Sequence, residues 1–173
     1  NGHGGQRVPE ESEATGGEET PEYAALNIPT GQPTHIPNPT TEIHITAERA
    51  YMAMGYYRIT GDVDFMLEHG CELVLACALF WADRCESTDR GYEIRDVIGP
   101  DEYTESIDNN TYTNHMVKRC LQYAPESAAL LAASPRHEAA VQDSWRYRDG
   151  LERKARIARG LYFAPQQQGM TPQ

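Results

Sequence analysis

The chain of 173 residues carries 26 acidic against 15 basic side chains, a net charge of −11 and a pI of about 4.9. That balance speaks against nucleic acids and anionic membranes as partners, since both are held by clustered Lys and Arg. No apolar run comes near the roughly 20 residues of a bilayer-spanning helix and Asn1 opens no signal-type segment, so a cytoplasmic protein is expected, and a first residue other than Met suggests a chain cut from something longer. The length suits one domain that buries roughly 70% of its extended surface.

Residues 1–42 hold six Gly and six Pro with no helical or strand period, a composition that reads as loop. From Thr46 the pattern changes. The stretch TAERAYMAMGYYRITG sets Ala50, Ala53 or Met54 and Tyr57 on one face, with Thr46 as N-cap and Gly61 as the stop. In CELVLACALFWADR, Leu73, Cys77, Phe80 and Trp81 recur at helical spacing. The segment GYEIRDVIGP alternates weakly and predicts a short strand or arm ending at Gly99-Pro100. The helical stripe returns in TYTNHMVKRCLQYA, a short Ala-Leu helix is expected between Pro125 and Pro135, and LERKARIARGLYF predicts a last helix. Cys71, Cys77, Cys85 and Cys120 form neither a CxxC pair nor a zinc spacing with His, which predicts free thiols in a reducing compartment.

Between the arm and the next helix, DVIGPDEYTESIDNN crowds Asp96, Asp101, Glu102, Glu105 and Asp108 beside Asn109 and Asn110. Three readings fit the residue types. Pro100 with two acids behind it suits a helix start, stabilised by the macrodipole. A calcium loop needs alternating ligands, a central Gly and a terminal Glu, which this run lacks. A sugar site uses one carboxyl as general acid and surrounding acids and amides on hydroxyl groups. Local chemistry leaves the first and third open.

The wording of VIGPDEYTESIDNNTYTNHM closely resembles the catalytic segment of glycoside hydrolase family 65, which groups maltose, trehalose and kojibiose phosphorylases with some α-glucoside hydrolases. The resemblance extends through YRITGD, GCELVLACALFWADR and EIHITAERAYM, and NGHGGQRVPEESEATGGEETP looks like the family's Gly-rich, acidic sugar-binding segment. It is strong over residues 1–124 and fainter beyond. It implies an all-α fold, part of an (α/α)6 barrel with long inter-helix loops. Residues 1–42 would be a sugar-site loop, 43–124 helices with the catalytic loop, and 125–173 further barrel helices.

The implied chemistry is inverting phosphorolysis of an α-linked glucose disaccharide. Glu102 would be general acid, its proton retained through burial or through Asp101 and Glu105, with Glu10, Glu11, Asp101, Thr104 and Glu105 on the substrate. The implied partners are the disaccharide and inorganic phosphate as co-substrate, with no metal and no organic cofactor, and the full-length enzyme is expected to be a homodimer. Glu10 stands where the family usually has Trp, and Thr104 where it commonly has His, so an anion and a hydroxyl replace two rings. Glu48 and Arg49 replace a usual Asp-Ile pair on a solvated face. A barrel of twelve helices needs roughly 130 helical residues, more than the five helices expected here supply. The family's β-sandwich would precede Asn1 and its phosphate segment would follow Gln173, making this chain the middle of the barrel. A hydrolase of the same family, or a non-catalytic sugar-binding remnant, are the competing readings. Two structural expectations follow: residues 1–39 lie against the helices with Glu11 near Glu102, and cut helix faces are exposed at Leu73, Phe80 and Trp81.

Overall fold

The computed structural model describes residues 2–135, 150–166, 168, 169 and 171. In chain order the elements are β1 (Tyr23–Asn27), β2 (Gln32–His35), α1 (Asn38–Thr41), α2 (Ile45–Thr60), α3 (Val63–Phe65), a π-helical turn (Met66–Gly70), α4 (Cys71–Arg84), β3 (Glu86–Thr88), β4 (Gly91–Glu93), α5 (Thr111–Ala132) and α6 (Leu151–Gly160). Helices carry the core, but two antiparallel hairpins, β1–β2 and β3–β4, correct the all-α expectation. Part of the segment read as further barrel helices, residues 136–149, lies outside the described residues.

The core is a packed group of helices with α4 in the middle, against α2, α5 and α6. Ala47, Ala50 and Met54 of α2, Val74, Cys77 and Trp81 of α4, Val117, Leu121 and Leu131 of α5, and Ile157 of α6 share one core cluster, all fully buried. Small Ala residues on α2 let its backbone approach, which is why the predicted stripe works without large side chains. The single π turn gives Cys71 N–H an acceptor in Met66 O and leads directly into α4. The whole segment Val63–Arg84 is apolar and long enough to cross a membrane by length and composition, contrary to the sequence expectation. Its most apolar window is 61% buried inside the fold, so its apolar residues are accounted for by core packing.

Three further expectations are corrected. Thr46 does not cap α2; His44 holds that position, and the fully buried Thr46 hydroxyl accepts the amide of Val8 at 2.9 Å. Gly61 does end α2, in the left-handed region at φ 69°. Pro125 starts no new helix; α5 runs through it for 22 residues, because losing one bond to Leu121 O costs less than unpacking Leu121, Ala124, Ala128 and Leu131 from the core. Finally, Phe80 and Trp81 are buried and Leu73 is half-buried, since α4 is central rather than cut open. Exposed apolar side chains on a helix face occur instead on α2, at Tyr51, Met52, Tyr56 and Ile59, and others lie on the β1–β2 hairpin (Tyr23, Leu26, Ile28) and at Tyr103 in the acid loop. All four cysteines are buried free thiols, as expected.

Candidate active site

The expectation that residues 1–39 lie against the helices holds for the first part of the segment, whereas the described residues of 21–35, which carry the β1–β2 hairpin, are exposed. Gly5, at φ 80°, is pressed so close to α4 that a Cβ would sit 2.4 Å from Ala76 O and 2.5 Å from Phe80 N, and Gln6 N–H donates to Ala76 O at 3.2 Å. Arg7 donates to Pro39 O and pairs with Glu18 at 3.5 Å. Glu18 then organises the acidic loop: its carboxylate accepts from the amides of Glu10 (3.0 Å), Glu11 (3.1 Å) and Thr20 (3.3 Å). Burial alone would raise the Glu18 pKa, yet these amides and the Thr20 hydroxyl hold it below its ordinary value.

Opposite stands the carboxylate-rich loop, residues 95–110, whose base is doubly fastened. Val97 and Ile107 exchange both backbone hydrogen bonds (3.1 and 2.8 Å), and Asn109, at φ 60°, donates from Nδ2 to Glu93 (2.9 Å) while its Oδ1 accepts from Ile94 N–H (3.1 Å). Glu93 is buried and also receives Arg90 and Thr88. The Arg90 guanidinium, the Thr88 hydroxyl and the Asn109 amide hold its carboxyl at a pKa of about 2. Asn110 caps α5 through Thr113 N–H (3.0 Å). The helix therefore starts at Thr111, and the alternative of a helix beginning at Pro100 is set aside.

At the tip, Asp101 accepts from Thr104 Oγ1 (2.7 Å) and from Tyr103 N–H (3.3 Å), a side-chain-closed turn of the kind Asp favours. Asp101 and Thr104, expected on the sugar, are thus also bound to each other. Glu102 and Glu105 are exposed and line a cleft of about 560 Å³ whose other wall is Thr34, His35, Pro37 and Asn38. Of the two surroundings expected for Glu102, burial or neighbouring carboxylates, the structure does not show burial.

The neighbours of Glu102 also differ from those expected. One carboxylate oxygen from each of Glu10, Glu42 and Glu102 lies within 4.8 Å of the others. Asp101 is engaged in its turn, and Glu11, exposed, is not part of this group; Glu10 takes its place. Glu42 is buried, accepts from Asn38 Nδ2 at 2.8 Å and stands 3.7 Å from His44 Nε2. Burial, and then the charges of Glu10 and Glu102, push Glu42 up to about 7. Partial burial also raises Glu10, against a polar interaction with Thr20 and one with Glu42. A divalent cation would find three carboxylates here, short of the six to eight oxygens of a calcium site.

Sequence reasoning missed Glu42, Asn38, Glu18 and Asn109. The signal for Asn109 was present, since Asn is the side chain that most readily takes the left-handed region. Glu42 had only its place before an apolar helix, and nothing local distinguishes such a residue from a solvated acid.

Residues 1–173 match the family model described as the glycosyl hydrolase family 65 central catalytic domain. The chain is 50% identical over 127 residues to a kojibiose phosphorylase of Halothermothrix orenii, covering 72% of this chain and 16% of that protein. It is 42% identical over 131 residues to a kojibiose hydrolase of Flavobacterium johnsoniae (75% and 18%), and 40% identical over 97 residues to an α,α-trehalose phosphorylase of Geobacillus stearothermophilus (56% and 13%). A solved structure of a candidate kojibiose phosphorylase from the human microbiome aligns with a TM-score of 0.58 at 23% identity, over 68% of this chain and 17% of that one, which establishes likeness of fold. The chain spans less than a fifth of the length of each of these proteins. With the family model covering every residue and relatives at 40–50% identity, the chain belongs to glycosyl hydrolase family 65, within the central catalytic domain.

Proposed function

We propose that this chain serves as the middle of an (α/α)6-barrel catalytic domain that splits an α-linked glucose disaccharide by inverting phosphorolysis, with Glu102 as general acid. The observation that carries the reading is the convergence of the Glu10, Glu42 and Glu102 carboxylates beside a cleft walled by residues 34–38 and 100–105. A carboxyl at the tip of a loop fastened at its base can deliver a proton to a glycosidic oxygen.

Glu105, on the cleft wall, accepts sugar hydroxyls, and Asp101 and Thr104 shape the turn that presents Glu102. Glu11, exposed on the Glu18-bound loop, is assigned to a sugar hydroxyl, while Glu10, where the family usually has Trp, contributes charge instead of an aromatic face. Inorganic phosphate attacks the anomeric carbon from the side opposite Glu102, and being anionic it needs no general base. Inversion of an α-linkage then yields β-glucose 1-phosphate.

The 42% identity to a kojibiose hydrolase keeps one other reading in view, in which water takes the place of phosphate with a base carboxylate from elsewhere in the domain. The complete enzyme incubated with kojibiose, trehalose or maltose separates the two. Phosphate-dependent release of β-glucose 1-phosphate supports phosphorolysis. Release of two glucose molecules at a rate independent of phosphate supports hydrolysis.

A further inference from the structure

We infer that Glu42 is a positioning residue for this site: with Glu10 it forms a hydrogen-bonded carboxyl pair that sets the charge and orientation of the Glu102 carboxyl next to it. This rests on the reading of Glu102 as general acid and adds a residue that acts through it.

The geometry singles Glu42 out. It is the buried member of the three-carboxylate group and is held on both sides, by the Asn38 amide at 2.8 Å and by His44 Nε2 at 3.7 Å. Asn38 and Glu42 sit at the start of α1 and at its end, and α1 is tied to the base of the acid loop by the Ile98 N–H to Thr41 O bond of 3.1 Å. His44 reinforces the same junction, its Nδ1 lying 3.3 Å from Ile98 O. Glu42 is therefore fixed relative to the loop that carries Glu102. Glu10 reaches the group from the other side, its amide anchored on Glu18, and its buried Oε2 has no donor among the described residues when both carboxyls are ionised. A proton kept on Glu42 supplies the bond between the pair. The charged and titratable groups facing the pair are Glu102, His44 with Glu48 behind it, and Arg7 and Glu18 beside Glu10.

A pair that keeps one proton sets less negative charge beside the Glu102 carboxyl than two ionised carboxylates would, and ionisation of Glu42 adds that second charge. Glu42→Gln keeps the size and the Asn38 contact but holds the pair at one charge. In the complete enzyme the acidic limb of the kcat/KM profile on the disaccharide should therefore be unchanged. Activity on the alkaline side should fall, by about tenfold at pH 8.5. KM should be unaltered, and turnover of α-glucosyl fluoride, which needs little acid assistance, should stay within about twofold. Glu42→Asp, which can still ionise, should recover most of the alkaline limb.

The inference is overturned by a profile that superposes on that of the unaltered enzyme, by equal losses on disaccharide and fluoride, or by a Glu42→Asp variant as impaired as Glu42→Gln. Glu102→Gln, measured alongside, keeps the two claims apart. If it loses disaccharide and fluoride activity equally, the general-acid reading fails and takes this inference with it. If the fluoride rescues it while Glu42→Gln behaves as the unaltered enzyme, only the role of Glu42 is lost.

Discussion

Replacing Asn109 by Ala should unfasten the loop that presents Glu102. Three contributions add. The bond from Nδ2 to the Glu93 carboxylate, 2.9 Å, is charge-assisted and contributes about 1.5–3 kcal/mol. Losing Oδ1 leaves the Ile94 N–H, 3.1 Å away and buried, without its acceptor, which costs about 1–3 kcal/mol. The left-handed backbone at φ 60° costs Ala about 1 kcal/mol. Allowing for overlap between the two hydrogen bonds, a loss of about 3–5 kcal/mol is expected for Asn109→Ala. Asn109→Gly loses the same bonds without the backbone strain, and should be milder by about 1 kcal/mol. Urea unfolding followed by circular dichroism measures both. A loss below about 1 kcal/mol for Ala, or a Gly variant less stable than the Ala variant, would refute this account of the loop.

Thr46→Val keeps the volume but strands the Val8 amide, so about 1–3 kcal/mol should be lost locally, seen as faster hydrogen exchange at Val8 than at α4 amides; equal rates would contradict the contact. Glu93 and Glu42 should give opposite pH dependences. The Glu93 carboxyl is held at about 2 in the folded chain, so its stabilisation is present above the ordinary value of 4.5 and lost as pH falls from there towards 2. Glu42, raised from 4.5 to about 7, binds its proton more tightly folded than unfolded, so stability falls as pH rises from 4.5 to 7. Unfolding midpoints across pH should show both slopes, with Glu93→Gln abolishing the first and Glu42→Gln the second; a slope that survives its variant counts against the assignment. The buried thiols of Cys77 and Cys85, both pushed up to about 12, and of Cys71, at about 11, should not react with a thiol reagent at pH 8 until the chain unfolds.

The helices were legible where one local rule governed them. Gly61 stops α2 because only a left-handed residue closes that end, and α4 follows its apolar period. Of the β3–β4 hairpin only β4 was legible, inside the strand or arm expected over residues 91–100 and shorter than it; β3 was not, because three residues of Glu, Ser and Thr carry too little alternation, and the pairing is supported by Glu93 gathering Arg90, Thr88 and Asn109. Pro125 misled because its local penalty is outweighed by core packing on either side. At the site, the crowding of acids around Glu102 was plain in the sequence. Its partners were not, since Glu10 and Glu42 come from segments 92 and 60 residues away (102 − 10 and 102 − 42), brought in by the Arg7, Glu18 and Asn38 contacts.

The central claim, that Glu102 donates the proton to the leaving sugar, is tested most directly by Glu102→Gln in the complete enzyme assayed on two substrates. Turnover of the disaccharide should fall by about 10² to 10⁴, the usual contribution of general acid catalysis, and α-glucosyl fluoride should recover much of that loss. Glu105→Gln should lose less, with no selective rescue. A Glu102→Gln enzyme that remains nearly as active on the disaccharide, while Glu105→Gln is inactive and rescued by the fluoride, would contradict the account and give the acid's role to Glu105.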